Sequence, residues 1–121
     1  MKIDRKARIR AYKETPRPAG IFCVHNTATG KYLVGSSTDL PAMLNRQRFQ
    51  LENGSHPDKE LQGDWNELGP ASFEFRALDQ LEPRDEPAYD PADDLRVLKG
   101  MWIEKLKASG DHLYRQSGRG V

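Results

Sequence analysis

Residues 19–26 (AGIFCVHN), 27–30 (TATG) and 31–36 (KYLVGS) decide how this chain is read. The first and last stretches are rich in β-branched and aromatic side chains, and a short polar turn ending in Gly30 joins them, so they read as a β-hairpin. Outward from it, Ser37, Thr38 and Asp39 offer capping oxygens for a helix predicted over 39–53, with Pro41 tolerated in its first turn. Leu40, Leu44, Gln47 and Leu51 recur at helical spacing on one face, and Asn53-Gly54 ends it. Ser55 and Pro57 open a second helix over 57–68, with Leu61, Trp65 and Leu68 inward, which Gly69-Pro70 stops. Over 72–80, Phe73 and Phe75 alternate with Glu74 and Arg76, the period of a third strand. A last helix over 92–107 carries Leu95, Leu98, Trp102 and Leu106 on one face, stopped by Ser109-Gly110. The expected fold class is α/β of the α+β kind, a three-stranded antiparallel sheet packed by helices.

The chain has 121 residues, room for one core. Charged residues make up 31 %, above the ~25 % usual for globular domains. One cysteine, Cys23, excludes an intrachain disulfide and a multi-cysteine metal site, and reads as an inert core residue. Apolar runs are short, so neither a membrane span nor a secretory leader is expected, and a reduced cytoplasmic setting follows. The net charge of +1 conceals an asymmetry: +5 over residues 1–18, −3 over 19–81, −5 over 82–94 and +4 over 95–121. That distribution excludes a uniformly basic nucleic-acid binder but leaves basic ends around a neutral middle. Three regions are expected: a basic amino-terminal helical extension over 1–18, capped by Asp4; a domain over 19–109 with an acidic, proline-rich loop at 82–91; and a frayed tail over 110–121.

The motifs carry a resemblance. Gly20-Ile21-Phe22, then Asn26 with Gly30-Lys31, then Leu33-Val34-Gly35 and Ser36-Ser37 resemble the opening of the GIY-YIG nucleases. Leu51, Gly54, His56, Leu61-Gln62, Trp65-Asn66 and Gly69, followed by Phe73, Phe75 and Leu78, resemble the continuation found in members of the intron-endonuclease type. Trp102-Ile103 with Leu106 resembles the family's last helix. The match runs in order from about residue 19 to 107.

The resemblance implies a fold and a chemistry. Family members hydrolyse a phosphodiester with one divalent cation, such as magnesium, held by a glutamate. Two strand tyrosines help activate the attacking water, and a helix arginine steadies charge on the phosphate. Carried over by position, the tyrosines fall on Phe22 and Leu33, the arginine on Met43, a histidine one turn later on Gln47, and the metal glutamate on Lys99. No intact catalytic set is expected, and no metal. Tyr32 beside Leu33 points to the other strand face, Arg46 lies within a turn of Met43, and Glu104 lies about 140° around the helix from Lys99.

Against the reading of Lys99 as a solvated helix residue stands a sharper one, in which its ammonium occupies the place of the lost cation and draws a phosphate. Candidate nucleic-acid-binding residues are then Arg46, Arg48, His56, Arg96 and Lys99, with His56 also fitting a capping role. The expected function is a nuclease-like domain that no longer cuts and binds a DNA or RNA backbone. The alternatives are a protein-interaction module on the same scaffold, and a divalent-metal-dependent DNA endonuclease with a rearranged site.

Overall fold

The computed structural model describes residues 18–82 and 89–115. The expected basic helix before residue 18, most of the acidic loop and the tail beyond 115 lie outside the described residues. Within them the chain runs β1 (Gly20–Asn26), β2 (Lys31–Ser37), α1 (Leu40–Glu52), α2 (Lys59–Leu68), a 3-10 turn (Pro70–Ser72), β3 (Phe73–Gln80), α3 (Ala92–Ala108) and β4 (His112–Leu113). Among the described residues no helix is long and apolar enough to cross a membrane.

The hairpin forms as its sequence dictates. Asn26 Oδ1 accepts the amides of Ala28 and Thr29, at 3.0 and 3.3 Å, and Gly30 closes the turn at φ +81°. Antiparallel pairing sets Phe22 against Gly35 and Val24 against Leu33. On its other edge β1 pairs with β3, also antiparallel, with a bulge where Ile21 meets Asp79 and Phe22 meets Ala77. Period-2 alternation then divides the core in two. Val24, Leu33, Phe73 and Phe75 face Leu51 of α1 and Leu61 and Trp65 of α2. Ile21 and Val34 face Leu95 and Leu106 of α3, with Tyr32, Leu98 and Trp102 packed around them. Helices thus cover both sheet faces.

Two expectations about the ends of elements are corrected. The second helix is opened by Asp58, whose Oδ1 accepts the Leu61 amide at 3.0 Å, and not by Ser55 or Pro57. Leu68 is exposed, since Gly69 at φ +86° turns the chain away directly after it.

The larger correction concerns the carboxyl-terminal end. The sheet has four strands in the order β3-β1-β2-β4 and is mixed, since β4 pairs parallel with β2 through Lys31–His112 and Tyr32–Leu113. The stretch expected to fray from residue 110 instead turns at Gly110, φ +85°, and returns along β2, where the Tyr114 amide donates to the Tyr32 carbonyl at 2.8 Å. Tyr114 is 1 % exposed and joins the core against α1 and α2. Its hydroxyl donates to Asp64 at 2.7 Å and accepts from Asn26 at 3.0 Å, tying the segment after β4 to α2 and to the hairpin turn. Because β4 stops at Tyr32's partner, no described strand flanks the outer edge of β2 from Leu33 onward.

Candidate functional site

That open edge is where the cleft lies. One half, about 210 Å³, is lined by Phe22, Leu33, Met43, Gln47, His56 and Lys99, with Val34–Ser36 at its edge. The other half, about 370 Å³, is lined by Ser36, Ser37, Thr38, Asp90, Arg96 and Lys99, with Met43 between the two. The four positions singled out in the sequence, Phe22, Leu33, Met43 and Lys99, therefore converge from β1, β2, α1 and α3.

Each is placed by its element. Phe22 and Leu33 share a sheet face through the β1–β2 register, and Phe22 lies so close over Gly35 that a Cβ there would meet its Cζ at 2.5 Å. A side chain at 35 would therefore displace the Phe22 ring from its place over the strand. Met43 is one turn into α1, after Asp39 has capped the helix by accepting the Ala42 amide at 3.2 Å. Lys99 is four residues after Leu95 and three before Trp102, on the inward stripe of α3. Only 5 % of it is exposed, so it is not a solvated helix residue, and burial pulls its ammonium below the usual lysine range.

The neighbouring candidates separate. Tyr32 stacks on His25, with ring centroids 4.1 Å apart, on the α3 side of the sheet and away from Leu33. Glu104 is exposed beyond the cleft. Arg96 lines the larger half and pairs with Asp93. Arg46 is exposed on α1 and lines neither half, while Arg48 lies 4.7 Å from the Phe75 ring, over β3.

His56 is 1 % exposed and both its ring nitrogens are engaged. The Asp58 amide donates to Nδ1 at 3.0 Å, so the ring proton sits on Nε2, which donates to Gln47 Oε1 at 2.6 Å. Its own amide donates to Gln62 Oε1 at 3.0 Å, and Gln62 Nε2 reaches the Leu51 carbonyl at 3.0 Å. The histidine is thus a neutral strut between α1 and α2, and burial lowers its pKa from 6.5. The unfolded chain binds the proton more readily, so this contribution to stability is full above 6.5 and is lost as pH falls from there through the lower folded value. Thermal melts should show the melting temperature dropping from about pH 7 to about pH 5, with a shallower drop in His56→Gln. His25, whose pKa burial also lowers, contributes in the same direction. An unchanged slope in the variant would show that His56 is not held neutral.

The Gln47–His56–Gln62 chain is not legible from sequence. Its sole signal there is a glutamine on the inward face of each of two helices flanking a histidine.

No protein-family model matches the chain, and no curated protein does so significantly. Solved structures do. The catalytic domain of the homing endonuclease I-TevI is 29 % identical with a TM-score of 0.60, over 78 % of this chain and 94 % of that one. A mutant of the same intron-endonuclease domain is 26 % identical with a TM-score of 0.63, over 81 % and 92 %. The GIY-YIG-like fold implied by the motifs is the fold of this chain.

Proposed function

We propose that this chain, with the fold of a GIY-YIG endonuclease catalytic domain, keeps the substrate cleft without the hydrolytic chemistry and uses it to hold a nucleic-acid backbone. The observation that carries this reading is the content of the cleft: phenyl, isobutyl and thioether groups at Phe22, Leu33 and Met43, and an ammonium at Lys99. A divalent cation of the family's kind needs oxygen ligands, usually including carboxylates. Asp90 is the one carboxylate among the described lining residues, and its Oδ1 already accepts the Ala92 amide at 3.0 Å. Lys99 would repel the ion. Among the described residues the lining does not fit the metal, and no hydrolytic step is derived through it.

An anion meets a better environment. Lys99 supplies positive charge with little competing water, and Arg96 and the Ser36 and Thr38 hydroxyls line the same half. Titration against duplex and single-stranded DNA at several salt concentrations is the test. Wild type should bind, with log affinity falling linearly in log salt. Lys99→Glu should bind more weakly, its slope on duplex shallower by about 0.9 for each phosphate it no longer neutralises. Arg96→Ala, an exposed change that spares the core, should act in the same direction. Equal affinities and slopes for all three proteins would remove the cleft from the binding surface, and an absence of binding at low salt would favour a protein-interaction role.

A further inference from the structure

The two halves of the cleft differ in chemistry, and one hydrogen-bond donor between them is already aimed. A backbone amide can only donate, so the Asp58 N–H fixes His56 Nδ1 as acceptor and Nε2 as donor. The Gln47 atom facing Nε2 at 2.6 Å must then be its carbonyl oxygen. The Gln47 amide nitrogen is consequently turned to the Met43 side of the cavity, where its contact is the Met43 sulfur at 3.5 Å, a weak acceptor. This donor stands among Phe22, Leu33, Met43 and Pro57, an apolar wall that would strengthen a hydrogen bond to an incoming acceptor. The adjoining half offers the Ser36 and Thr38 hydroxyls and the Arg96 guanidinium, which also pairs with Asp93. Against these stands one carboxylate among the described lining residues, Asp90, whose Oδ1 accepts the Ala92 amide. Ser36, Met43 and Lys99 are common to both halves.

An apolar slot with one oriented donor, sharing Ser36, Met43 and Lys99 with a neighbouring hydroxyl- and guanidinium-lined space, matches a flat heterocycle linked to a phosphate. We propose that the cleft holds a single unstacked nucleoside monophosphate unit, with its base in the half formed by Phe22, Leu33 and Met43, a base carbonyl accepting from Gln47, and its phosphate in the half formed by Ser36, Thr38 and Arg96. His56 is a positioning residue that keeps the amide turned the right way. At about 210 Å³ the apolar half favours a pyrimidine, and uracil presents two carbonyl acceptors. The inference rests on the cleft binding nucleic acid, and sharpens what it binds: a nucleotide out of its stack, free or at the end of a strand.

The experiment titrates the chain by NMR with uridine 5′-monophosphate, uridine and inorganic phosphate. The monophosphate should bind more tightly than either part. Gln47→Glu keeps an oxygen for His56 Nε2 and replaces the donor with an acceptor. It should weaken the monophosphate and uridine about tenfold, and phosphate by less. Arg96→Ala should weaken the monophosphate and phosphate but not uridine. Phosphate binding as tightly as the monophosphate, or Gln47→Glu leaving the monophosphate unaffected, would overturn the proposal. Failure of all three probes would overturn it too. If strands nonetheless bind with a log–log salt slope that Lys99→Glu flattens, the backbone reading survives without it; if strands also fail, both fall. Displacement of the monophosphate by a 5′-phosphorylated oligonucleotide, but not by its 5′-hydroxyl counterpart, would assign the unit to a strand end. Displacement by neither would assign it to a free nucleotide.

Discussion

Truncating Tyr114 to alanine is expected to destabilise the domain by about 3–5 kcal/mol, the range for removing a buried aromatic side chain. The ring is 1 % exposed and packs with Val24, Leu33, Leu51, Leu61, Trp65 and Phe73, so its loss leaves a cavity at the centre of one core. Domains of this size have about 5–15 kcal/mol in total, so the variant would be close to unfolding. Tyr114→Phe isolates the hydroxyl. It removes the donation to Asp64 and leaves the buried Asn26 amide short of one acceptor, for about 1–2 kcal/mol. Burial and the Asp64 hydrogen bond both push the phenol up, so this group is neutral throughout any practical pH range. Urea unfolding of the two variants and wild type is the measurement. A loss below about 1 kcal/mol in Tyr114→Ala would mean that the segment around Tyr114 is not packed in solution.

The second large effect is catalytic. Purified chain incubated with DNA or RNA and magnesium or manganese is expected to leave the strands intact. A general acid–base group contributes about 10²–10⁴-fold and an electrostatic stabiliser about 10²–10³-fold, and the positions that resemble those roles hold Phe22, Leu33 and Met43. On the proposed reading Lys99→Glu alone should not start cleavage, because it adds a carboxylate while Phe22, Leu33 and Met43 still offer no ionisable or cationic group. Cleavage that follows the wild-type chain through purification and is lost in Arg46→Ala or Tyr32→Phe would establish a rearranged active site instead. The geometry leans against that outcome. Tyr32 is stacked on His25 across the sheet from Leu33, and Arg46 lines neither half of the cleft.

The cleft shows what motif order conveys and what it omits. Resemblance to a known arrangement is what places Phe22, Leu33, Met43 and Lys99 together, since nothing in their own spacing brings residues up to 77 positions apart into one cavity. Their convergence is seen in the chain itself. The burial of Lys99 has a local signal, its place on the stripe of Leu95, Trp102 and Leu106, which competes with the ordinary expectation that lysine seeks water. Arg48 and Arg96 are legible as cations near the right elements, but only packing sends one over Phe75 and the other to the cleft wall.

What the sequence determined by itself is local: the hairpin closed by Asn26 and Gly30, the alternation that gives β3 two faces, the Asp39 cap, and the apolar stripes of α1, α2 and α3. These follow from dihedral preference, side-chain period and capping, which act over a few residues. The tertiary structure alone decided the rest. β4 has two residues, too few for any period to register, and exists because the edge of β2 at Lys31 and Tyr32 can accept a parallel partner. Tyr114 is buried because Asn26 and Asp64, 88 and 50 positions away, supply the partners that let a phenol leave water. The amide of Gln47 faces the cleft because a histidine nine residues on is itself oriented by the amide that begins the next helix. A buried polar group settles only where its partners are, and those partners are assembled by the fold.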